Sequence, residues 1–408
     1  MLNNRSAVSK GVKVTLLQLT SRRKVPLITE PLPAPDTRAL AVSDLLVEKI
    51  RAEVDSSGGW LSFERYMQLV LYEPGLGYYS AGAVKFGPAG DFTTAPELGD
   101  SLAVALAPFL GNVLSDLDSA HLLELGAGSG TLAGQLLEHL AARGHADIDY
   151  AILETSADLR ERQMVHLEPS GFSVRWIDRL PDTPFAGVVI ANEVADAVPV
   201  ARFVKTGDAV LPLGIACERG SLNIVPGPAD PALSEVVGRI EANLDWPLPE
   251  GYCSEVCLLL RPWLDEVLGA MAGGGLLLID YGMPRRDYYR PERSDGTLMC
   301  HYRQRAHTDP LLWPGLQDLT AWVDFTAVST AAHASGYRVA GYTTLAQFLL
   351  ESIARDPLLS TRQLSPKEAS AMQTLILPGE MGERFKLIWL TSGPVGNTLP
   401  GRDFRSWL

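Results

Sequence analysis

Three glycines at alternate positions and the carboxylates around them are the residues of this chain whose spacing could do chemistry. The stretch "HLLELGAGSGTLAGQLLEHL" (121–140) runs apolar, breaks at Gly126, Gly128 and Gly130, and resumes with helical spacing. That order predicts a buried strand, a tight turn and a helix, a ligand site at the carboxyl edge of a parallel sheet. The spacing is GxGxG with Thr131 in the sixth position, whereas a dinucleotide site has GxGxxG. Glu124, two residues before the first glycine, would repel a pyrophosphate that a helix N-terminus attracts. It suits a cationic head, such as the amino-acid moiety of S-adenosylmethionine. Glu154 ends the next apolar run, "DYAILE", where ribose hydroxyls would bind. The pattern therefore favours S-adenosylmethionine over a nicotinamide dinucleotide as cofactor. Trp176 and Asp178 close a third run, "FSVRWID", at the place of an adenine. A core Trp and a solvated Asp fit those two positions equally.

The acceptor side is expected at "VVIANEVADAVPV" (188–200), where Asn192, Glu193 and Asp196 end a fourth apolar run. Methyl transfer from a sulfonium is an in-line displacement, so the protein mostly positions the nucleophile and excludes water. A guanidinium, with a pKa of about 12.5–13.8, is oriented by carboxylates, which bind its fork and can take its proton. Glu193 and Asp196 are the first candidates for that work; capping of the next segment by Asn192 and Glu193 is the plainer alternative. Glu97, in "DFTTAPELGD", is a third candidate carboxylate if the Gly- and aromatic-rich stretch 75–100 folds over the site.

These residues need a frame. Strand, helix and strand alternate from residue 121, and the strands are apolar throughout, which implies a parallel sheet covered on both faces. The expected fold is α/β, a Rossmann-like sheet with helices on both faces, an N-terminal helical extension and two insertions. Ordered sequence is expected to begin near Val42, with a helix over "SDLLVEKIRAEV" capped by Ser43 or Asp44 and a second helix over "SFERYMQLVLYEP". The units are a basic tail (1–40), N-terminal helices and loop (41–115), the cofactor half (116–203), a β-hairpin insertion (204–250), a fifth-strand unit (251–283), a lid or docking insertion (284–335) and the C-terminal part of the core (336–408). The insertion after the fifth strand carries Arg285, Arg286, Arg303 and Arg305 among aromatics.

Composition excludes some classes. The 408 residues are 46% hydrophobic and 20% charged, with a net charge of −13. That balance speaks against a general nucleic-acid binder, and no apolar run reaches the length of a membrane span. Four cysteines give no disulfide framework; Cys253 and Cys257 are read as one turn apart on a helix, in the core, and no metal site is expected. Residues 1–40 hold seven Lys/Arg against two acids. A transit segment, a disordered tail and an upstream start codon all fit that composition. The location that follows is the cytoplasm for a bacterial chain and the mitochondrial matrix for a eukaryotic one.

The ordered set "LYEPGLGYYS", "GDFTTAPEL", "LLELGAGSGTLA", "YAILETSADLRERQ", "NEVADAVPV", "LLIDYG", "GTLMCHYRQRAHTDPLLWPGLQDLTAWVDF" and "LILPGEMGERFKLI" resembles the MidA family of class I methyltransferases, over about residues 45–392. The family includes a mitochondrial complex I assembly factor. The resemblance implies an S-adenosylmethionine-dependent enzyme. For mitochondrial members it implies symmetric dimethylation of an arginine in the large 49-kDa subunit of complex I. It places the cofactor turn on Gly126, Gly128 and Gly130, the ribose acid on Glu154, and the family's NE..D motif on Asn192, Glu193 and Asp196. Two aromatics usual between that Glu and Asp are Val194 and Ala195 here, and the family's TSPE is TAPE, with Ala95 for the serine. The expected partner is a protein substrate, with a homodimer as a further possibility. Methylation of a small molecule or another N/O acceptor, and an assembly factor with weak catalysis, are the competing readings.

Overall fold

The computed structural model describes residues 32–80, 93–117, 121–207, 209–356, 363–393 and 398–408. Its centre is a sheet whose strands we number in chain order. They are β1 (His121–Leu125), β2 (Asp149–Leu153), β3 (Val174–Ile177), β4 (Phe185–Asn192), β5 (Met271–Met283), β6 (Arg338–Thr344) and β7 (Phe385–Thr391). Their order across the sheet is β6-β7-β5-β4-β1-β2-β3. β7 runs antiparallel to β5 and β6; β5, β4, β1, β2 and β3 pair in parallel. The C-terminal runs "YRVAGYTT" and "RFKLIWLT" therefore do supply the last strands of the core.

Alternate residues of each strand enter opposite cores. Leu122, Ile152, Ile190 and Leu277 pack with helices Ser101–Asp116 and Thr131–Ala141. Leu123, Leu125, Val189 and Leu278 pack with helices Leu260–Gly269 and Phe325–Ala334. Apolar side chains on both faces are the reason these strands read as continuous hydrophobic runs. Strand order reverses between β1 and β4, which opens a crevice at their carboxyl ends.

Several expectations are corrected. The first helix is Thr37–Ser56, beginning before Val42, and its N-cap is Asp36, whose side chain accepts from Ala39 N–H. Ser43 lies inside that helix, buried, and donates to the carbonyl of Pro314 at 2.9 Å. The basic tail lies mostly in residues 1–31, outside the described residues. Cys253 and Cys257 do not share a helix. Cys253–Val256 is a strand paired with Ala201–Thr206, and the helix begins only at Leu260. The cause is long-range: Arg202 and Glu255 face each other across the two strands and form an ion pair at 3.1 Å with Glu255 fully enclosed. The segment 204–250 is more than a hairpin, because helix Pro231–Ala242 follows its strands. Among the described residues, no helix is long and apolar enough to cross a membrane.

Candidate active site

A cleft of about 740 Å³ lies over the carboxyl ends of β1, β2 and β3, beside the end of β4. Gly126, Gly128 and Gly130 all take positive φ, at 60°, 56° and 83°, a region costly for residues with a Cβ. A Cβ on Gly126 would stand 3.4 Å from Val194. The turn therefore brings bare backbone to the cleft between the first and fourth strands. Gly126 and Gly128 line it, and Gly130 caps the helix Thr131–Ala141.

Glu154 lines the cleft next to the turn. It is 7% exposed, and both its oxygens are held: Oε1 accepts from Ser156 N–H at 2.9 Å and Oε2 from Gln163 Nε2 at 3.0 Å. Gln163, fully buried, also donates from Nε2 to the carbonyl of Gly128 at 3.0 Å. Its Oε1 accepts from the indole N–H of Trp176 at 3.0 Å. One amide thus ties the glycine turn, the carboxylate and β3 together. Gln163 closes the motif "YAILETSADLRERQ", but no signal there assigns it a role, because it lies inside helix Ala157–Leu167 rather than at a strand end.

The remaining cofactor candidates divide. Asp178 lines the cleft. Trp176 does not, and acts on the site through Gln163. Glu124 is corrected as well: it points under the turn into the core, where Tyr150 Oη donates to it at 2.7 Å. Burial pushes its carboxyl up to about 7, against the pull of the tyrosine hydroxyl. Among the described residues, Glu154, Asp158, Asp178, Glu193 and Glu266 line the cleft, with Arg179 as the cation.

At the end of β4, Asn192 Nδ2 donates to Glu193 Oε1 at 3.3 Å, and Asn192 Oδ1 is enclosed without a hydrogen-bond partner. Glu193 has φ 55°, a strained conformation for a residue with a side chain and one that clusters at functional sites. Its backbone N–H donates to Ile279 on β5, which holds the strain in place. Burial, and then the neighbouring Asp196, push its carboxyl up to about 8. Asp196 is buried and raised well above the ordinary range by burial, then Asp280 and Asp318.

Asp280 and Asp318 went unremarked among the site candidates. Asp280 ends the apolar part of β5 just as Glu154 follows β2, so the same signal could have found it. Its Oδ2 accepts from the backbone of Ala195 at 2.8 Å and Asp196 at 3.2 Å, and its Oδ1 from Tyr281 at 2.8 Å. It fixes the turn that carries Glu193 and Asp196. Asp318, from the insertion, accepts from Tyr79 Oη at 3.0 Å. Tyr79 stacks on Tyr72 with centroids 5.5 Å apart, and both rings line the cleft. Glu97 is corrected: it sits on the glycine turn, accepting from Ser129 Oγ at 2.5 Å and Thr131 Oγ1 at 3.1 Å. Two hydroxyls compete for it there. The backbone amide of Ala95, at the start of the same short helix, favours the ionised form of Glu193 and partly offsets the effect of burial. Both long segments reach this edge of the sheet, 75–100 through Tyr79 and Glu97, and 284–330 through Asp318.

Comparison with known proteins decides among the readings this geometry allows. Residues 102–343 match the Methyltransf_28 family of S-adenosyl-L-methionine-dependent methyltransferases. The chain belongs to this family. A Burkholderia thailandensis protein solved bound to S-adenosyl-homocysteine is 40% identical, with a TM-score of 0.83 over 91% of this chain and 99% of that one. The Caenorhabditis elegans protein arginine methyltransferase NDUFAF7 homolog, mitochondrial, is 28% identical, covering 84% of each chain. The human protein arginine methyltransferase NDUFAF7, mitochondrial, is 26% identical over 82% of this chain and 80% of its own. The resemblance to the MidA family holds, and with it the class I fold and S-adenosylmethionine as methyl donor. The residues of this methyltransferase fit that donor: an acid-lined cleft suits a molecule that carries a sulfonium and an ammonium, and the fixed Glu154 carboxyl suits a diol.

Proposed function

We propose that this methyltransferase modifies an arginine side chain of a protein, and that Glu193 and Asp196 hold the guanidinium. The observation that carries the reading is Glu193, a strained and desolvated carboxylate at the mouth of β4, facing Asp196 across a turn fixed by Asp280. The donor, when bound, supplies an electrophilic methyl group. The chain's residues then have three tasks. Glu193 and Asp196 orient the guanidinium fork. A cation beside Glu193 lowers its raised pKa again, so acceptor binding ionises the carboxyl and leaves it able to take the guanidinium proton. Tyr72 and Tyr79 form an aromatic wall of the cleft, and Asp318 holds Tyr79. The relatives that are named protein arginine methyltransferases support arginine as acceptor. The family resemblance supports the large 49-kDa-type subunit of complex I as the first client to try.

The test is transfer of a radiolabelled methyl group to that purified subunit and to lysate protein from cells lacking the enzyme, followed by mass-spectrometric mapping. The expected product is methylarginine. Label confined to small molecules, or to residues other than arginine, would overturn the reading.

A further inference from the structure

A second cleft, of about 670 Å³, opens on the same carboxyl edge at the β5-β7-β6 end of the sheet. Gly282, Thr344 and Lys386 place it at the ends of those three strands. In a chain of net charge −13, this cleft reverses the sign: Arg290, Arg293, Arg384 and Lys386 line it against Asp287 and Glu383. Arg290 is paired with Asp287. Among the described residues, Arg293, Arg384 and Lys386 have no carboxylate at ion-pair distance.

Two of these cations are placed at a cost. The Arg293 guanidinium lies 5.7 Å from the ring centre of Trp322, and its Nε is enclosed without a hydrogen-bond partner. Lys386 is 8% exposed, and its ammonium donates to the backbone carbonyls of Glu383 and Arg384. Burial lowers the pKa of both groups, Lys386 to about 8. A bound anion would relieve both. Leu350 and Trp407 add half-exposed apolar surface to the same walls.

The position of the cleft matters as much as its charge. Lys386 pairs with Asp280 across β7 and β5, and Asp280 in turn holds the amides of Ala195 and Asp196. The acid site at the end of β4 is thus two strand spacings from Lys386, about 10 Å. That is the span of about three extended residues.

We propose that this cleft docks an acidic side chain of the acceptor polypeptide about three residues from the methylated arginine. The acid-lined site takes the guanidinium and repels carboxylates; the basic cleft beside it takes the carboxylate, and the pair fixes the register of the bound segment. The inference rests on the arginine reading.

The test uses the full chain and peptides with one central arginine in a neutral background, with Glu at the third position on either side, or with neither. The measured quantity is the kcat/KM of each acidic peptide relative to the neutral one, for the natural enzyme, Arg384→Glu and Arg293→Gln. Arg384 is partly buried, and thermal melting checks that the variants fold. For the natural enzyme we expect one acidic peptide to gain roughly two- to tenfold, through KM. Arg384→Glu should bring that ratio to one or below and prefer a Lys at the same peptide position; Arg293→Gln should reduce the ratio. A ratio of one in the natural enzyme, or a ratio that Arg384→Glu leaves unchanged, overturns the docking site. If no arginine peptide is methylated, the arginine reading fails by itself, and anisotropy of the fluorescein-labelled Glu peptides then decides the cleft. Salt-sensitive binding lost in Arg384→Glu supports it, and absence of binding overturns it. Displacement by inorganic phosphate as effective as by the Glu peptide would mark a phosphate site instead and overturn the peptide reading.

Discussion

Gln163 makes a sharp prediction because its amide is satisfied on both sides. Its Nε2 serves Gly128 and Glu154 and its Oε1 serves the Trp176 indole. Gln163→Met keeps the length and removes all three contacts. A neutral hydrogen bond is worth about 0.5–1.5 kcal/mol net, and one accepted by a charged group about 1.5–3 kcal/mol. Ser156 still holds Glu154 Oε1, so the carboxylate becomes mobile without leaving. Loss of its fixed orientation should weaken S-adenosyl-homocysteine binding by about ten- to a hundredfold. Trp176→Phe deletes only the indole donor, which frees the amide to turn over, and should cost about two- to tenfold. Trp176 does not line the cleft, so its effect must pass through Gln163. The double variant should therefore bind like Gln163→Met alone, a non-additivity read from a double-mutant cycle. Calorimetry gives the affinities, and urea denaturation separates them from stability. Additive losses in the double variant, or Gln163→Met with natural affinity and reduced stability only, would refute the relay.

Glu193→Gln and Asp196→Asn should each slow transfer by roughly ten- to a hundredfold while calorimetric affinity for S-adenosyl-homocysteine stays near the natural value; collapse of donor binding would reassign these carboxylates to the donor site. Gly126→Ala combines positive φ with a Cβ 3.4 Å from Val194 and should lower stability by about 1 kcal/mol, measured by urea denaturation, with weaker donor binding in calorimetry. Stability of the protein alone should fall as pH rises from about 4 through about 8. Glu193 and Asp280 have folded pKa values raised to about 8, so the folded state binds more protons than the unfolded one across that window. Thermal melting against pH reads the slope, Glu193→Gln should flatten it, and a Tm that climbs over the same range would contradict the assignment.

The fold was legible where physics is local. Apolar runs with alternating cores marked β1, β2 and β4, and three glycines with a helical sequel marked the turn, because each signal lies within about twenty residues. Placement at the cleft was legible only where a side chain ends its own strand, as with Glu154 and Glu193. What escaped depends on partners distant in sequence. Cys253–Val256 has a helical-looking neighbourhood, yet Arg202 draws it into a sheet. Glu97 was expected at the acceptor, yet Ser129 and Thr131, more than thirty residues on, hold it at the glycine turn. Glu124 was expected at the ligand because it precedes the turn. Strand alternation turned it toward Tyr150 instead, and the same parity sends Leu123 and Leu125 to the opposite face.

That parity bears on how the acids around the end of β4 divide. Glu193 lines the cleft, whereas Glu124, Asp196 and Asp280, all raised by burial, do not. Asp280 accepts three backbone amides, bonds that favour its ionised form. Burial and then Glu193 outweigh them and raise its carboxyl to about 8. Asp280 therefore holds the 193–197 turn through hydrogen bonds and titrates together with its neighbours. A charge on any one of Asp280, Glu193 and Asp196 makes it harder for the others to ionise until a cation arrives, since like charges in a desolvated site cannot all be carried at once. Acceptor binding and ionisation of Glu193 are then one coupled step, and a neutral acceptor would leave the proton in place. The same arrangement that makes the empty site costly at high pH is what would distinguish a guanidinium from an uncharged competitor. Proton release on acceptor binding, measured by calorimetry in buffers of different ionisation enthalpy, should be near one per site at pH 7 for an arginine peptide. It should be near zero for the citrulline analogue, and equal release from both would break the link between Glu193 and acceptor charge.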